Sequence, residues 1–149
     1  MSINFSKYPS IGQFRNAVKA VERDSMYVFD TEKDDWVFDR TRQMPTLTFT
    51  GTVKLHGSNA GVYFTKKGGI SGQSRTAGID CGLNGFGEWL ASDDVNCAFR
   101  GIRWELLDEY PILEGKDFVI YGEWCGGNIQ KGVSINGLHK MFVIFGVKV

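Results

Sequence analysis

The chain has 149 residues, 42% of them hydrophobic and 23% charged, with 17 basic and 17 acidic side chains that cancel to a formal net charge of zero. This balance excludes an intrinsically disordered chain, and it excludes a protein that holds nucleic acid by bulk positive charge, so any such contact has to be a local patch. Aromatics at 13% and 19 glycines point to a strand-rich fold with tight turns, and the length to one domain with one hydrophobic core.

The first predicted element is a helix. Ser10 and Gln13 stand at capping-box spacing behind Pro9, and Ile11, Phe14, Val18 and Val21 recur at helical intervals, so the helix is expected from Ser10 to about Arg23. Residues 24–45 mix charges with Trp36 and Phe38 and stop at Pro45, which reads as a short hairpin or loop. From Thr46 the period becomes two: Leu47, Phe49, Val53 and Leu55 take one face of an expected strand, and Thr48, Thr50, Thr52 and Lys54 the other. Gly57-Ser58-Asn59 is expected to turn the chain and Ala60 to Thr65 to return as a second strand. Ile70 to Arg75, after a turn at Lys66-Lys67-Gly68-Gly69, forms a third.

Between Asn84 and Tyr110 the pattern is helical again, with Phe99, Ile102, Leu106 and Tyr110 near one face and Pro111 closing the segment. Phe118 to Trp124 reads as a strand followed by the glycine-rich run Cys125-Gly126-Gly127-Asn128, and Met141 to Val149 as a buried strand. A core strand with no following element lacks a neighbour, so the sequence reads as cut there.

Cys81, Cys97 and Cys125 are scattered and odd in number, as expected of reduced thiols rather than a disulfide framework. Neither His56 nor His139 joins them at zinc-ligand spacing, and no metal-binding residue can be named. The N-terminus has no apolar signal-peptide core, and no stretch approaches the ~18 apolar residues of a membrane span. The expectation is a soluble, cytoplasmic protein without a membrane partner. The oligomeric state cannot be read from the sequence.

Four segments carry candidate chemistry. In Lys54-Leu55-His56-Gly57-Ser58-Asn59 an amine sits at the expected end of a strand, where fixed position and low hydration favour a neutral nucleophile; the alternative is a surface lysine beside a loop. Ser74-Arg75-Thr76 offers a guanidinium suited to a phosphate, although a solvated charge is the commoner role of such an arginine taken alone. Glu123, in Tyr121-Gly122-Glu123-Trp124, is a carboxylate at a strand end that can hold a ribose hydroxyl or a metal ion; taken alone it reads first as an ordinary edge-strand carboxylate. Phe142 and Phe145 are core residues by default, and stacking on a base is the rarer role.

Taken together the segments resemble the covalent nucleotidyltransferases, and within them the phage-type nick-sealing RNA ligases. Lys54-Leu-His-Gly-Ser-Asn59 is similar to motif I in its His form, Ser74-Arg-Thr76 to motif Ia, and Ile120-Tyr-Gly-Glu123 with the downstream run to Gln130-Lys131-Gly132-Val133 to motif III. Phe142-Val-Ile-Phe145 is similar to motif IIIa, and Tyr8-Pro9-Ser10-Ile11 resembles the family's opening. The resemblance implies an α+β, antiparallel-sheet nucleotidyltransferase (ATP-grasp-like ligase) domain spanning residues 1–149. It implies an ATP-dependent RNA repair enzyme that joins a 3′-hydroxyl to a 5′-phosphate, on RNA ends or a nicked duplex, with ATP and Mg2+.

By the same resemblance Lys54 is the residue that carries AMP. Asn59 and Arg75 contact nucleotide or RNA-end phosphate, Glu123 the ribose, and Phe145 the adenine, with His56, Leu55 and the backbone of Val53 completing the nucleotide site. There are three departures from the family. Val53 replaces an acidic residue, Gly146 replaces an Asp, and motifs IV and V, a metal-binding carboxylate and a Lys-x-Lys pair, would fall after residue 149, so the domain is expected to be incomplete. A DNA ligase or capping-type nucleotidyltransferase, or a catalytically dead nucleotide- or RNA-binding module, stands as the alternative.

Overall fold

The structure, a computed structural model, describes residues 4–10, 12–80 and 85–149. Its centre is an antiparallel pair, β3 (Gly57–Phe64) and β6 (Phe118–Cys125), matched over eight residues from Gly57 opposite Cys125 to Phe64 opposite Phe118. Around it β4 (Ile70–Ser74) and β5 (Gly78–Ile79) pair on one side and β7 (Met141–Lys148) on the other, giving the order β5-β4-β3-β6-β7. With its helices this makes an α+β, antiparallel fold.

Alternation along the central strands decides what each face meets. Ala60, Val62 and Phe64 on β3, with Phe118 and Ile120 on β6, point to one side. There they bury against Phe86 and Leu90 of α2 (Gly85–Ala91), Phe99 of α3 (Asp93–Glu109) and Leu113 of a short 3-10 turn (Pro111–Leu113). Phe64 stacks on Phe118 at 4.9 Å between ring centroids. Each such side chain contributes about 1.5–3 kcal/mol by leaving water. Phe142 of β7 belongs to this side too, packed on Phe86 at 5.5 Å and Phe99 at 5.7 Å. Its ring lies over Gly122, where a Cβ would meet it at 2.5–2.7 Å, so only glycine admits that ring.

The chain clusters into two units, Met1–Tyr8 with Lys54–Val149, and Pro9–Val53. All the buried core residues belong to the first. The second holds α1 (Phe14–Met26) and a two-stranded hairpin of β1 (Tyr27–Asp30) and β2 (Asp35–Phe38), as residues 24–45 led one to expect.

Several sequence expectations are corrected. The first helix begins at Phe14 with Gln13 at its N-cap, not at Ser10, and no side chain caps it. Gly12 is a poor helix former, and the first helical bonds run from Asn16 and Ala17 to the Gln13 carbonyl. Ile11 and Cys81 to Asn84 lie outside the described residues.

Thr46 to Leu55 form no strand: their alternation is real, but no neighbour hydrogen-bonds to them among the described residues. Gly57-Ser58-Asn59 is not a turn, because β6 is long enough to pair with all three. The helical stretch is two helices divided at Ser92. The last strand is an edge rather than a buried strand. It has β6 as its sole partner among the described residues, and Ile144, Phe145, Val147 and Val149 are exposed.

The β3–β4 turn is tied to the start of β6 by Asp117, which accepts from the Lys66 N–H at 2.7 Å and from the Tyr63 hydroxyl at 2.9 Å. The Lys66 amide, then the Tyr63 hydroxyl, hold the Asp117 carboxyl below its usual value, while burial and then Asp117 push the Tyr63 phenol up. A depressed carboxyl stabilises the fold above its unfolded pKa of about 3.9, and this is lost as pH falls through the lower folded value. Asp117→Asn should therefore lower thermal stability at neutral pH, and its difference from wild type should begin to shrink as pH falls below about 4 and vanish only below the lower folded value. In the core, Phe64→Ala is expected to cost about 3–5 kcal/mol in urea unfolding.

Candidate functional site

The sheet face turned away from the helices carries Asn59, Gly61 and Tyr63 of β3, Gln73 of β4, and Val119, Tyr121 and Glu123 of β6. Gln73 is 1% exposed, and a buried amide is costly unless both its ends are bonded. Ser6 satisfies it: the Gln73 side-chain nitrogen donates to the Ser6 carbonyl at 2.7 Å, and its oxygen accepts from the Ser6 N–H at 3.1 Å. The Tyr121 hydroxyl donates to the same carbonyl at 2.7 Å. Residues 6–8 are thereby held on this face, and the Tyr8 ring packs edge-on against Tyr121 at 4.8 Å and Phe145 at 5.2 Å.

Strand directions bring the separated motifs to one end of the sheet. Lys54 precedes the first residue of β3, Arg75 follows the last residue of β4, and Glu123 lies two residues before the end of β6. Asn59 and Glu123 are direct register partners on one face. Phe145 reaches that face through an irregularity in β7. Gly122 pairs with Ile144 while Tyr121 pairs with Gly146, so Phe145 is the extra residue of a bulge and its ring turns toward Tyr8.

The clearest local geometry is at Gly57. Glu123 Oε1 accepts from the Gly57 N–H at 2.9 Å, and Gln130 Nε2 donates to the Gly57 carbonyl at 3.2 Å. A Cβ at Gly57 would overlap the Trp124 carbonyl oxygen and stand 2.7 Å from the Cys125 Cβ, so the residue must be glycine. One oxygen of Glu123 is thus committed to the backbone of the Lys-x-His-Gly segment. Burial, and then the nearby Glu123, push the Cys125 thiol up, which makes it a poor nucleophile.

Other predicted residues are less enclosed. Lys54, His56 and Arg75 are exposed, Leu55 is half-buried, and Val53 is 88% exposed in the second unit. The low hydration expected at Lys54 is corrected: the segment ahead of β3 pairs with no strand and leaves the side chain in water. Among the described residues no three His, Cys, Asp or Glu side chains gather to hold a metal ion.

Sequence reasoning missed the anchoring of Ser6 by Gln73 and Tyr121, and the Gly57 contact of Gln130. A lone Gln among Ile70-Ser-Gly-Gln-Ser74 gives no sign of burial, although the alternation that sets Gln73 opposite Gly61 does put it on the polar face.

With this arrangement in view, comparison with family models gives a match to the RNA ligase family over residues 47–149. The chain belongs to the RNA ligase family. The matched region contains every motif segment from Lys54 to Phe145 and carries a ligase-type function, while α1 and the β1–β2 hairpin lie outside it. A search of curated proteins gives no match. No described helix of this RNA ligase family member is long and apolar enough to cross a membrane.

The Gly57 contact is open to test by hydrogen exchange. Glu123→Ala should release the Gly57 amide and weaken the β3–β6 end by about 1.5–3 kcal/mol, as for a hydrogen bond to a charged group. Glu123→Gln keeps an acceptor oxygen and should retain most of the protection.

Proposed function

We propose that this chain is the adenylate-forming part of an ATP-dependent RNA ligase of the phage nick-sealing kind. In this reading the amine of Lys54 attacks the α-phosphate of ATP. A phosphorus–nitrogen bond forms, the bond to pyrophosphate breaks, and the amine gives up a proton. AMP then passes to an RNA 5′-phosphate, and a 3′-hydroxyl displaces it to join the strands. ATP is the substrate of the first step, and magnesium that enters with it would offset charge on the phosphates.

The observation that carries the reading is convergence. Asn59, Arg75 and Glu123, carried by three different strands, lie at one end of a sheet inside the region that matches the RNA ligase family, with Lys54 three residues ahead of the first of those strands and Phe145 on the Asn59–Glu123 face. A carboxylate with one oxygen held by Gly57 keeps the other for a ribose hydroxyl. Phe145, 46% exposed, presents an aromatic surface for a base. Arg75, exposed beyond β4, suits a phosphate. The Gly57 anchors supply rigidity three residues from the amine, which is the form of positioning that group transfer needs. The RNA ligase match favours RNA over the DNA-ligase and capping alternatives.

The test is covalent labelling of the protein translated from its whole reading frame, with labelled ATP and magnesium. One lysine, Lys54, should carry AMP, and Lys54→Arg should abolish the label because a guanidinium stays protonated. Label mapped to Lys66 or Lys67 would overturn the assignment, and absence of label with retained nucleotide binding would favour a non-catalytic module. Arg75→Ala should slow sealing by about 2–4 kcal/mol of barrier, by analogy with lost oxyanion donors. Glu123→Ala should act mainly on nucleotide binding, raising the KM for ATP. Wild-type sealing by both variants would leave these roles without support.

A further inference from the structure

The β1–β2 hairpin is built the wrong way round for a ribbon that only packs on its own protein. Its register pairs Tyr27 with Phe38 and Phe29 with Trp36, so four aromatics share one face, while Val28 and Val37 take the other. The valines are half-buried, yet Phe29, Trp36 and Phe38 are 48%, 61% and 46% exposed. The rings meet edge-to-face at 5.4 and 5.8 Å and so are held in place without being covered. A contiguous exposed apolar face of this kind marks an interaction site.

Charge beside it says what kind. Arg15, Lys19 and Arg23 recur every fourth residue on α1, forming an exposed stripe with a rise of about 6 Å between members. That interval is comparable to the separation of successive phosphates along an extended strand. Lys19 and Arg23 line a cavity of about 900 Å³ together with Tyr27 and Trp36, so cations and rings share one wall. Glu22 and Asp24 line it too. The Arg23–Asp24 pair, 3.1 Å apart and exposed on both sides, is worth little, and carboxylates here can accept from the exocyclic amines of bases. Of the unit's other cations, Lys33 pairs with Asp30 at 3.0 Å and Arg42 with Asp39 at 3.6 Å, while Arg40 is exposed.

We propose that this face is a docking surface for an unpaired segment of RNA, with bases stacked on Trp36 and Phe29 and phosphates along Arg15, Lys19 and Arg23. Stacking requires bases free of a duplex, which selects single strands. The choice of RNA rests on the family and not on the lysyl-AMP mechanism, and the surface lies outside the matched residues 47–149. It would hold a substrate by sequence-tolerant contacts and leave the reacting ends to other residues.

The experiment is fluorescence anisotropy with a 5′-hydroxyl, 3′-blocked oligoribonucleotide of about ten nucleotides, within the span of single-strand sites, which no ligase chemistry can consume. A blunt duplex of the same sequence and the DNA counterpart form the other arms. Trp36→Ala and Phe29→Ala should each weaken single-strand binding about 5- to 150-fold, the range of one lost base stack, and Trp36→Phe should recover most of it. Replacing Arg15, Lys19 and Arg23 by Gln should reduce the slope of log affinity against log salt by about two, as for three phosphate contacts on a single strand.

All five positions are exposed or half-buried surface residues, and an unchanged melting temperature checks the fold of each variant. Equal binding of duplex and single strand, tighter binding of DNA than RNA, or aromatic variants within twofold of wild type would overturn the proposal. So would self-association by light scattering that Trp36→Ala abolishes, which would assign the face to a second copy. Retained binding with no Lys54 adenylate would sink the mechanism alone, and labelled Lys54 with no effect of Trp36→Ala would sink the docking surface alone.

Discussion

The whole sheet depends on the uninterrupted register between Gly57–Phe64 and Phe118–Cys125. Because the two strands run antiparallel for eight residues without a slip, one set of side chains reaches the helices and the complementary set is left for chemistry. A shift of β6 by one residue would exchange Ile120 for Tyr121 on the helix side and take the Tyr121 hydroxyl from the Ser6 carbonyl into an apolar layer. The tight fit of Gly57 against Trp124 and Cys125 fixes one end of this register. The Phe64–Phe118 stack fixes the other.

Function-bearing positions follow from that constraint rather than from local propensity. Asn59 and Glu123 are 64 residues apart in sequence, yet they are partners because each sits at the same distance from its end of the ladder. The chain leaves β4 at Ser74, opposite Ala60, so Arg75 emerges beside the same end. The RNA ligase match over residues 47–149 corresponds to the unit with the buried core, save that it adds residues 47–53 and omits the N-terminal residues up to Tyr8. The residues on the polar face are tied to backbone: Glu123 to Gly57, Gln73 and Tyr121 to Ser6. Such anchoring gives a surface with few rotamers to freeze when a ligand arrives.

Much of this was legible in the sequence. The Phe118 strand, the turn at Lys66–Gly69 and the helical stretch ahead of Pro111 carried strong periodic or turn signals, and each lies within a residue or two of its place. What failed had a common cause, which is that strand pairing is not a local property. Thr46 to Leu55 alternate as a strand should, but have no partner among the described residues. Gly57-Ser58-Asn59 have turn chemistry and still pair, because β6 is long enough to reach them. The closing run Met141-Phe-Val-Ile-Phe145 is apolar enough for a core strand, and only the sheet order reveals it as an edge. The site motifs were visible as residue types, but the environment of Lys54 was not, since its exposure depends on that unpaired segment.

The bulge in β7 divides that strand into two phases. Up to Ile144, even-numbered residues share the side of Phe142; beyond Phe145 the parity inverts. Val147 then lines an apolar hollow with Leu106 and Tyr110, and Lys148 donates to the Lys7 carbonyl at 3.1 Å. One supernumerary residue thus lets a single strand serve a hydrophobic layer and a polar one without any change in residue type. Loss of Phe145 alone would restore regular alternation and keep Gly146 opposite Tyr121, Val147 on the apolar hollow and Lys148 on the N-terminal strap, at the cost only of the ring packed on Tyr8. A deletion at the bulge can therefore be absorbed, whereas loss of Val147 would bring Lys148 to the Leu106 side, and the strand's exposed position at the sheet edge does nothing to relax that rule.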